Sequence, residues 1–217
     1  MNALSPLRAR LPIEVVFDLV CPWCFLGTRR LRRALRARPE IVAELIWRPF
    51  LLNPEQPASG RDPFARRPGG ADRARRLHAT LSEMGRAEGV PFRFDLIHRT
   101  PPSLDAHRLV RLAGRRGVAE EMVDRLFLAH FAEGLDIADH ATLAGIAGAA
   151  GLERTATRRF LAGDSDFEAV QAENLRAHRL GINGVPCFVL AGGHAIAGAQ
   201  EPEVLQRLLD VAIAEAA

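Results

Sequence analysis

Apolar and polar positions along the chain follow two different periods. Ile13 to Val20 reads IEVVFDLV, a β-branched and apolar run with Glu14 and Asp18 interspersed, which predicts a strand largely buried in a sheet. From Pro22 to Arg38 the spacing becomes helical. Leu31, Ala34 and Leu35 mark an inner face, while Arg29, Arg30, Arg32, Arg33 and Arg36 spread over the rest, which predicts a solvated face. A second strand is predicted at AELIWRPF. The segment after it, LLNPEQPASGRDPFARRPGG, carries four prolines and three glycines and breaks regular structure.

From Ala71 to about Phe160 the pattern is almost entirely helical, in runs that each end at a glycine, with Ser103 and Asp139 at N-cap positions. A further helix from Asp164 to Leu180 leads through GINGVP into CFVLAGGHAIAG, read as two short strands joined at Gly192-Gly193, and a last helix begins at Pro202. Without the helical block, β-α-β and β-β-α halves remain, which predicts an α/β fold with one mixed sheet flanked by helices. The matching division is a discontinuous sheet domain over 11–62 and 164–217, with an inserted α-helical domain over 63–163.

Composition narrows the partners. With 48% apolar and 25% charged residues in 217, the chain falls in the globular range and outside the disordered one. All 29 basic residues are arginine, but 26 acidic residues accompany them, and the formal charge is only +3. That lack of charge asymmetry argues against nucleic acid as a partner. No stretch reaches about 18 apolar residues and no apolar leader core precedes a cleavage site, so no membrane association and a cytoplasmic location are expected.

The location bears on the three cysteines. A reducing compartment disfavours structural disulfides and leaves redox catalysis or metal binding as the usual roles of a close pair. In FDLVCPWCFLG, Pro22 suits the first helical position, which makes Cys21 the N-cap and Cys24 the third helical residue. Cys21 then lies over free amides and the positive end of the helix dipole, where its pKa is expected below the free value of about 8.5. Cys24 should be more buried and harder to ionise. Such asymmetry suits thiol–disulfide exchange, in which one thiolate attacks a disulfide and its neighbour releases the product. C-x-x-C also occurs in zinc sites, but a closed site needs four ligands, the third cysteine is Cys187, and none of the seven histidines forms an H-x-x-x-H pair. Redox chemistry, zinc binding and two buried thiols all remain open on these residues alone.

CPWC after a strand, a βαβ context, an inserted helical block and GVP before a late strand together resemble the DsbA family of thioredoxin-fold oxidoreductases, and more closely its cytoplasmic FrnE-type branch. WRPFLLNPEQPASG, SLDAHRL, LFLAHFAEGLDI, GINGVPCFVL and AIAGAQ extend the resemblance over nearly the whole chain. It implies a thioredoxin-like fold with a large helical insertion, Cys21 as nucleophile, Cys24 as resolving cysteine, and a cis Val185-Pro186 bond facing them. Only about 5% of X–Pro bonds are cis, so residue identity alone would predict trans. Through this turn the Val185 backbone would pair with substrate, with Pro22 and Trp23 lining the active loop. Thiol- or disulfide-containing proteins or small molecules are the implied substrates, with glutathione a candidate co-substrate and no resident cofactor or metal.

Asp18, three residues before Cys21, is a candidate proton acceptor for Cys24, or a residue that bonds the nearby turn. Family members commonly carry Asn-Thr where this chain has Pro102-Ser103, so any contact of that asparagine is absent. Asp105, His107 and Arg108 lie in the matching segment without an assigned role; His107 is either a hydrogen-bonded helix residue or a groove residue near the cysteines. Cys187 reads as a small core residue, or as a regulatory or metal-binding thiol. Two alternatives stand beside the redox reading. One is a glutathione-dependent kappa-class transferase or chromene-carboxylate isomerase, although those relatives carry serine at the position of Cys21. The other is a cysteine-based metal- or partner-binding module. A homodimer is a candidate assembly.

Overall fold

The computed structural model describes residues 9–57, 59–60 and 70–216. The expected insertion boundary at residues 62–63 lies outside the described residues. The β-branched run forms β1 (Ala9–Phe17), and the two-residue period of a strand decides which layer each side chain joins. Leu11, Ile13, Val15 and Phe17, none more than 2% exposed, join the main core, whereas Val16 packs in a second cluster with Phe50, Ala177 and Cys187.

α1 (Pro22–Arg36) follows, and β2 (Ile41–Pro49) returns parallel to β1, with Val15 opposite Trp47 and Phe17 opposite Pro49. On the other side of β1, β3 (Cys187–Leu190) pairs antiparallel, with Val16 opposite Cys187, and β4 (Ala195–Ala197) pairs antiparallel with β3. The order β2-β1-β3-β4 makes β1 an interior strand, so the turn at its C-terminal end is anchored from both sides. Gly192 and Gly193, at φ 82° and 83°, take the β3–β4 turn through a backbone region that side chains disfavour.

Among the described residues, six α-helices separate β2 from β3: α2 (Gly70–Ala87), α3 (Leu104–Gly114), α4 (Ala119–Phe131), α5 (His140–Ala149), α6 (Arg154–Ala162) and α7 (Phe167–Arg179). α8 (Pro202–Ala216) closes the described chain. No helix among the described residues is long and apolar enough to cross a membrane.

Local chemistry explains where these helices start. Asp139 caps α5 as expected, accepting from the Thr142 amide at 2.7 Å. Ser103 occupies the N-cap position of α3 but makes no side-chain cap bond. Glu153 does for α6 what sequence reading did not anticipate, accepting from the amides of Thr155 and Ala156 at 2.6 Å each. The helix expected from Asp164 begins only at Phe167, because Asp166 stands in the left-handed region at φ 64°, held by Arg115 at 2.7 Å.

The main core runs without interruption from sheet to inserted helices. Phe25 of α1 stacks on Phe127 of α4 with centroids 5.1 Å apart and planes 10° apart, and Phe17 of β1 meets Phe127 edge-on at 6.1 Å. The arginine face of α1 is only partly solvated, which corrects the sequence expectation. Arg33 and Arg36 are exposed, but Arg30 is 5% exposed, donates to the Ala199 carbonyl at 2.7 Å and pairs with Glu201 at 2.7 Å and Glu88 at 3.5 Å. It pins α1 to the approach of α8 and to the residue just beyond α2.

Candidate active site

Between Phe17 and Pro22 the chain makes a tight turn, closed by the Cys21 amide donating to the Asp18 carbonyl at 3.1 Å. Proline at the first helical position needs no amide partner, so the helix starts there. Cys21 is the N-cap, in extended backbone at φ −96° and ψ 111°, and its carbonyl accepts from the amides of Cys24 at 3.0 Å and Phe25 at 3.3 Å. One turn in, Cys24 is fully buried, while Cys21 retains 5% exposure. Burial, then the neighbouring Cys21 sulfur, push the Cys24 thiol pKa well up, and the Asp18 charge adds to this. The Asp18 amide works the other way, donating to Cys24 Sγ at 3.5 Å.

The loop before β3 approaches from the opposite side. The Val185-Pro186 bond is cis, as the resemblance implies, and the Cys21 thiol donates to the Val185 carbonyl at 3.7 Å. α1 accepts this loop because position 27 is glycine: a Cβ there would stand 2.7 Å from Pro186 Cγ and 3.4 Å from Phe188 Cζ. A proline ring has little room to yield. Gly27→Val is therefore expected to cost about 1–3 kcal/mol through overpacking, read as a lower denaturant midpoint at unchanged slope. Pro22 and Trp23 beside the sulfurs are half-buried, with Trp23 packed on the main core.

Asp18 is fully buried, and its carboxylate is fixed by backbone donors: the Leu52 amide to Oδ2 at 2.8 Å and the Val20 amide to Oδ1 at 3.4 Å. The turn-bonding role considered for it is therefore present. Two imidazoles from the inserted helices stand behind it. His107 of α3, 1% exposed, brings Nε2 within 3.4 Å of Asp18 Oδ1 without making a hydrogen bond. His130 of α4, 3% exposed, feels the Asp18 charge, but burial dominates and lowers its pKa to about 4. His107 was an open candidate in the sequence, and His130 was missed. A lone histidine in the apolar run LFLAHFAEG was the available signal for it.

The remaining candidates lie elsewhere. Cys187 belongs to the second cluster, on the other side of the sheet from Cys24, and burial pushes its thiol pKa up. Arg108 and Asp105 build a structural junction: Arg108 is 2% exposed and donates to Asp105 at 2.6 Å and to backbone carbonyls around the end of α6. Among the described residues, no group of three or more histidine, cysteine, aspartate and glutamate side chains is arranged to hold a metal ion.

Comparison with known proteins places the arrangement in a family. A probable DsbA oxidoreductase from Streptomyces coelicolor superposes with a TM-score of 0.83 at 29% identity, covering 94% of this chain and 91% of that one. The cytosolic disulfide reductase DsbM from Pseudomonas aeruginosa, solved with GSH, shares the fold at a TM-score of 0.67 and 21% identity, over 93% of this chain and 98% of that one. The uncharacterized protein YwbO of Bacillus subtilis strain 168 is 26% identical over 199 residues, 91% of this chain and 94% of its own length. The family model described as DSBA-like thioredoxin domain matches residues 12–210. The chain belongs to this family of thioredoxin-fold thiol–disulfide oxidoreductases.

Proposed function

We propose that this protein is a thiol–disulfide oxidoreductase of the cytoplasm, in the FrnE-type branch, in which Cys21 forms a mixed disulfide with substrate and Cys24 resolves it. The observation that carries this reading is the inequality of the two sulfurs. Cys21 stands at the N-cap of α1, against the Val185 carbonyl, and keeps the only surface of the pair. Cys24 is fully buried with its proton held tightly, the state of a thiol that waits for an adjacent mixed disulfide.

In the first step the Cys21 thiolate attacks a substrate disulfide, one Sγ–S bond forms and the first substrate thiolate leaves. Cys24 then loses its proton and attacks Cys21 Sγ, which closes the Cys21–Cys24 disulfide and expels the second thiolate. Asp18 is the proton acceptor in this scheme: a proton moving from Cys24 to its carboxylate removes the negative charge that opposes a Cys24 thiolate, while the Asp18 amide still donates to the sulfur. Val185 and Pro186 form the opposite wall and, with Pro22 and Trp23, meet an extended substrate segment. Substrates are proteins or small molecules bearing thiols or disulfides, glutathione among them, and the chemistry needs no metal or resident cofactor. The sheet domain over 11–62 and 164–217 supplies the cysteines, and the 63–163 insertion buttresses them.

Trapping tests the assignment. Incubated with a disulfide such as oxidised glutathione, Cys24→Ala is expected to accumulate a mixed disulfide on Cys21, with release of one reduced glutathione, visible by mass spectrometry, and Cys21→Ala to form none. An adduct on Cys21→Ala alone, or on neither variant, would overturn it.

A further inference from the structure

We infer that Arg30, a buried cation in the third turn of α1, is a positioning residue for substrate capture: it fixes the Val185-Pro186 wall opposite Cys21 by holding the backbone of residues 198–199. This rests on the exchange reading above.

A guanidinium only 5% exposed is costly to remove from water, and replacing such a charge by a well-packed apolar side chain often costs no stability. What Arg30 adds is the geometry of its bonds. Nη1 donates to the Ala199 carbonyl at 2.7 Å, Nη2 meets Glu201 at 2.7 Å, and Nε stands 3.5 Å from Glu88, whose side chain is itself buried. The Glu201 side chain is 58% exposed, so that pair is screened by water and contributes little. The Ala199 bond is of another kind. This carbonyl lies between β4 and α8, outside both the ladder and the helix, and Arg30 is its donor.

The residues that Arg30 holds form a wedge between α1 and the wall. Gly198 turns the chain at φ 87°, and its amide donates to the Pro186 carbonyl at 2.7 Å. A Cβ on Gly27, one turn before Arg30, would stand 3.4 Å from Ala199 Cα and 2.7 Å from Pro186 Cγ, so both segments rest on the same patch of α1. The next residue back from Pro186 is Val185, whose carbonyl meets the Cys21 thiol at 3.7 Å. Gln200 shapes this corner by donating to the Gly198 and Ala197 carbonyls at 2.9 and 2.7 Å, but those bonds are internal to it. Among the described residues, Arg30 alone ties the corner to α1 by hydrogen bonds. A substrate backbone that pairs with Val185 needs this wall in register with the cysteine, whereas Cys21 keeps its own place at the start of α1. The influence of Arg30 therefore falls on substrates that have a backbone to pair.

Two disulfides separate the cases. In a Cys24→Ala background, which stops at the mixed disulfide, adduct formation on Cys21 is followed by mass spectrometry. One probe is the disulfide-linked dimer of a short single-cysteine peptide; the other is the aromatic disulfide of thionitrobenzoate, which has no amide backbone. Arg30→Met is expected to slow the peptide reaction about tenfold and to leave the aromatic one within about twofold. A general loss of structure would move both rates together. Arg30→Met combined with Glu88→Gln removes the buried carboxylate charge that the single variant leaves behind, and serves where that variant does not fold. It is expected to keep the peptide defect, because the Ala199 carbonyl still lacks its donor. A peptide rate within about twofold of the parent, equal slowing with both probes, or recovery of the peptide rate in the double variant would each overturn the inference. With Arg30 intact, absence of an adduct on Cys21 with either probe would instead defeat the exchange reading itself.

Discussion

Arg108→Met is expected to destabilise the protein by about 3–5 kcal/mol, the cost typical of removing one partner from a buried, fully hydrogen-bonded charge. The guanidinium is nearly solvent-free at 2% exposure, and its three nitrogens meet five acceptors. Nε donates to the Ser165 carbonyl at 2.7 Å; Nη1 reaches Asp105 Oδ1 at 2.6 Å and the Leu161 carbonyl at 3.3 Å; Nη2 reaches the carbonyls of Phe160 at 3.0 Å and Gly163 at 2.5 Å. Helix C-terminal carbonyls have no intrahelical donors, so Arg108 satisfies the end of α6 and the loop that carries the chain into α7. Methionine fills similar space and leaves those carbonyls and one Asp105 oxygen without the donor. Arg108→Lys should recover only part of the loss, because one ammonium cannot span five acceptors in two directions. Urea denaturation at neutral pH measures both variants; a methionine variant within about 1 kcal/mol of the parent would mean that water or neighbouring donors replace the guanidinium.

Acid should destabilise this protein through His130 before its exposed carboxylates take up protons. An unfolded histidine takes a proton near pH 6.5, but in the folded state burial lowers the His130 pKa to about 4, with the Leu135 backbone and the charges of Asp18 and Asp136 pulling back only in part. Between these two values the unfolded chain binds more protons than the folded one, so stability falls as pH falls. The contribution is fully present above about pH 6.5 and is lost progressively toward pH 4, to a total on the order of 3 kcal/mol. His130→Leu should flatten that part of the profile. It gives up one backbone interaction and an unpaired Nδ1, so a modest loss at neutral pH is expected alongside the gain in acid resistance. Denaturant midpoints at pH 7 and 4.5 for parent and variant isolate the effect, since other groups titrate equally in both. Equal pH dependence in the two proteins would place the acid sensitivity elsewhere.

The elements were legible wherever a local period or a terminator decides them. The proline that opens α1 and the Gly192-Gly193 turn act through their immediate neighbours and appear where the sequence predicts; β1 forms from the expected run but spans Ala9–Phe17 rather than 13–20, because the chain turns at Asp18 to deliver Cys21 to the helix start. What local pattern misses is what a distant group does to a residue. Arg30 reads as part of a solvated stripe because nothing nearby in sequence shows that Glu88, Ala199 and Glu201 converge on it. The delayed start of α7 follows from Asp166 meeting Arg111 of α3 and Arg115 just beyond its end, contacts made across more than fifty residues. The cysteine pair was visible as a spacing and the cis-proline as a resemblance. The carboxylate and two imidazoles behind Cys24 lie on three elements that no motif links, and only the packing of α3 and α4 onto β1 gathers them.

The shared aromatic stacking of Phe17, Phe25 and Phe127 bears on how substrates are chosen. A cap that opened and closed over the cysteines would have to part Phe25 from Phe127 and expose both faces to water, and each ring buries enough apolar surface to contribute about 2–3 kcal/mol. The inserted helices are therefore a fixed wall rather than a hinged lid. On the exchange reading proposed above, selectivity would then fall to the partly exposed side chains beside Cys21, such as Trp23 and Val185, and new substrates would be reached by exchanging them without altering how the helices meet the sheet.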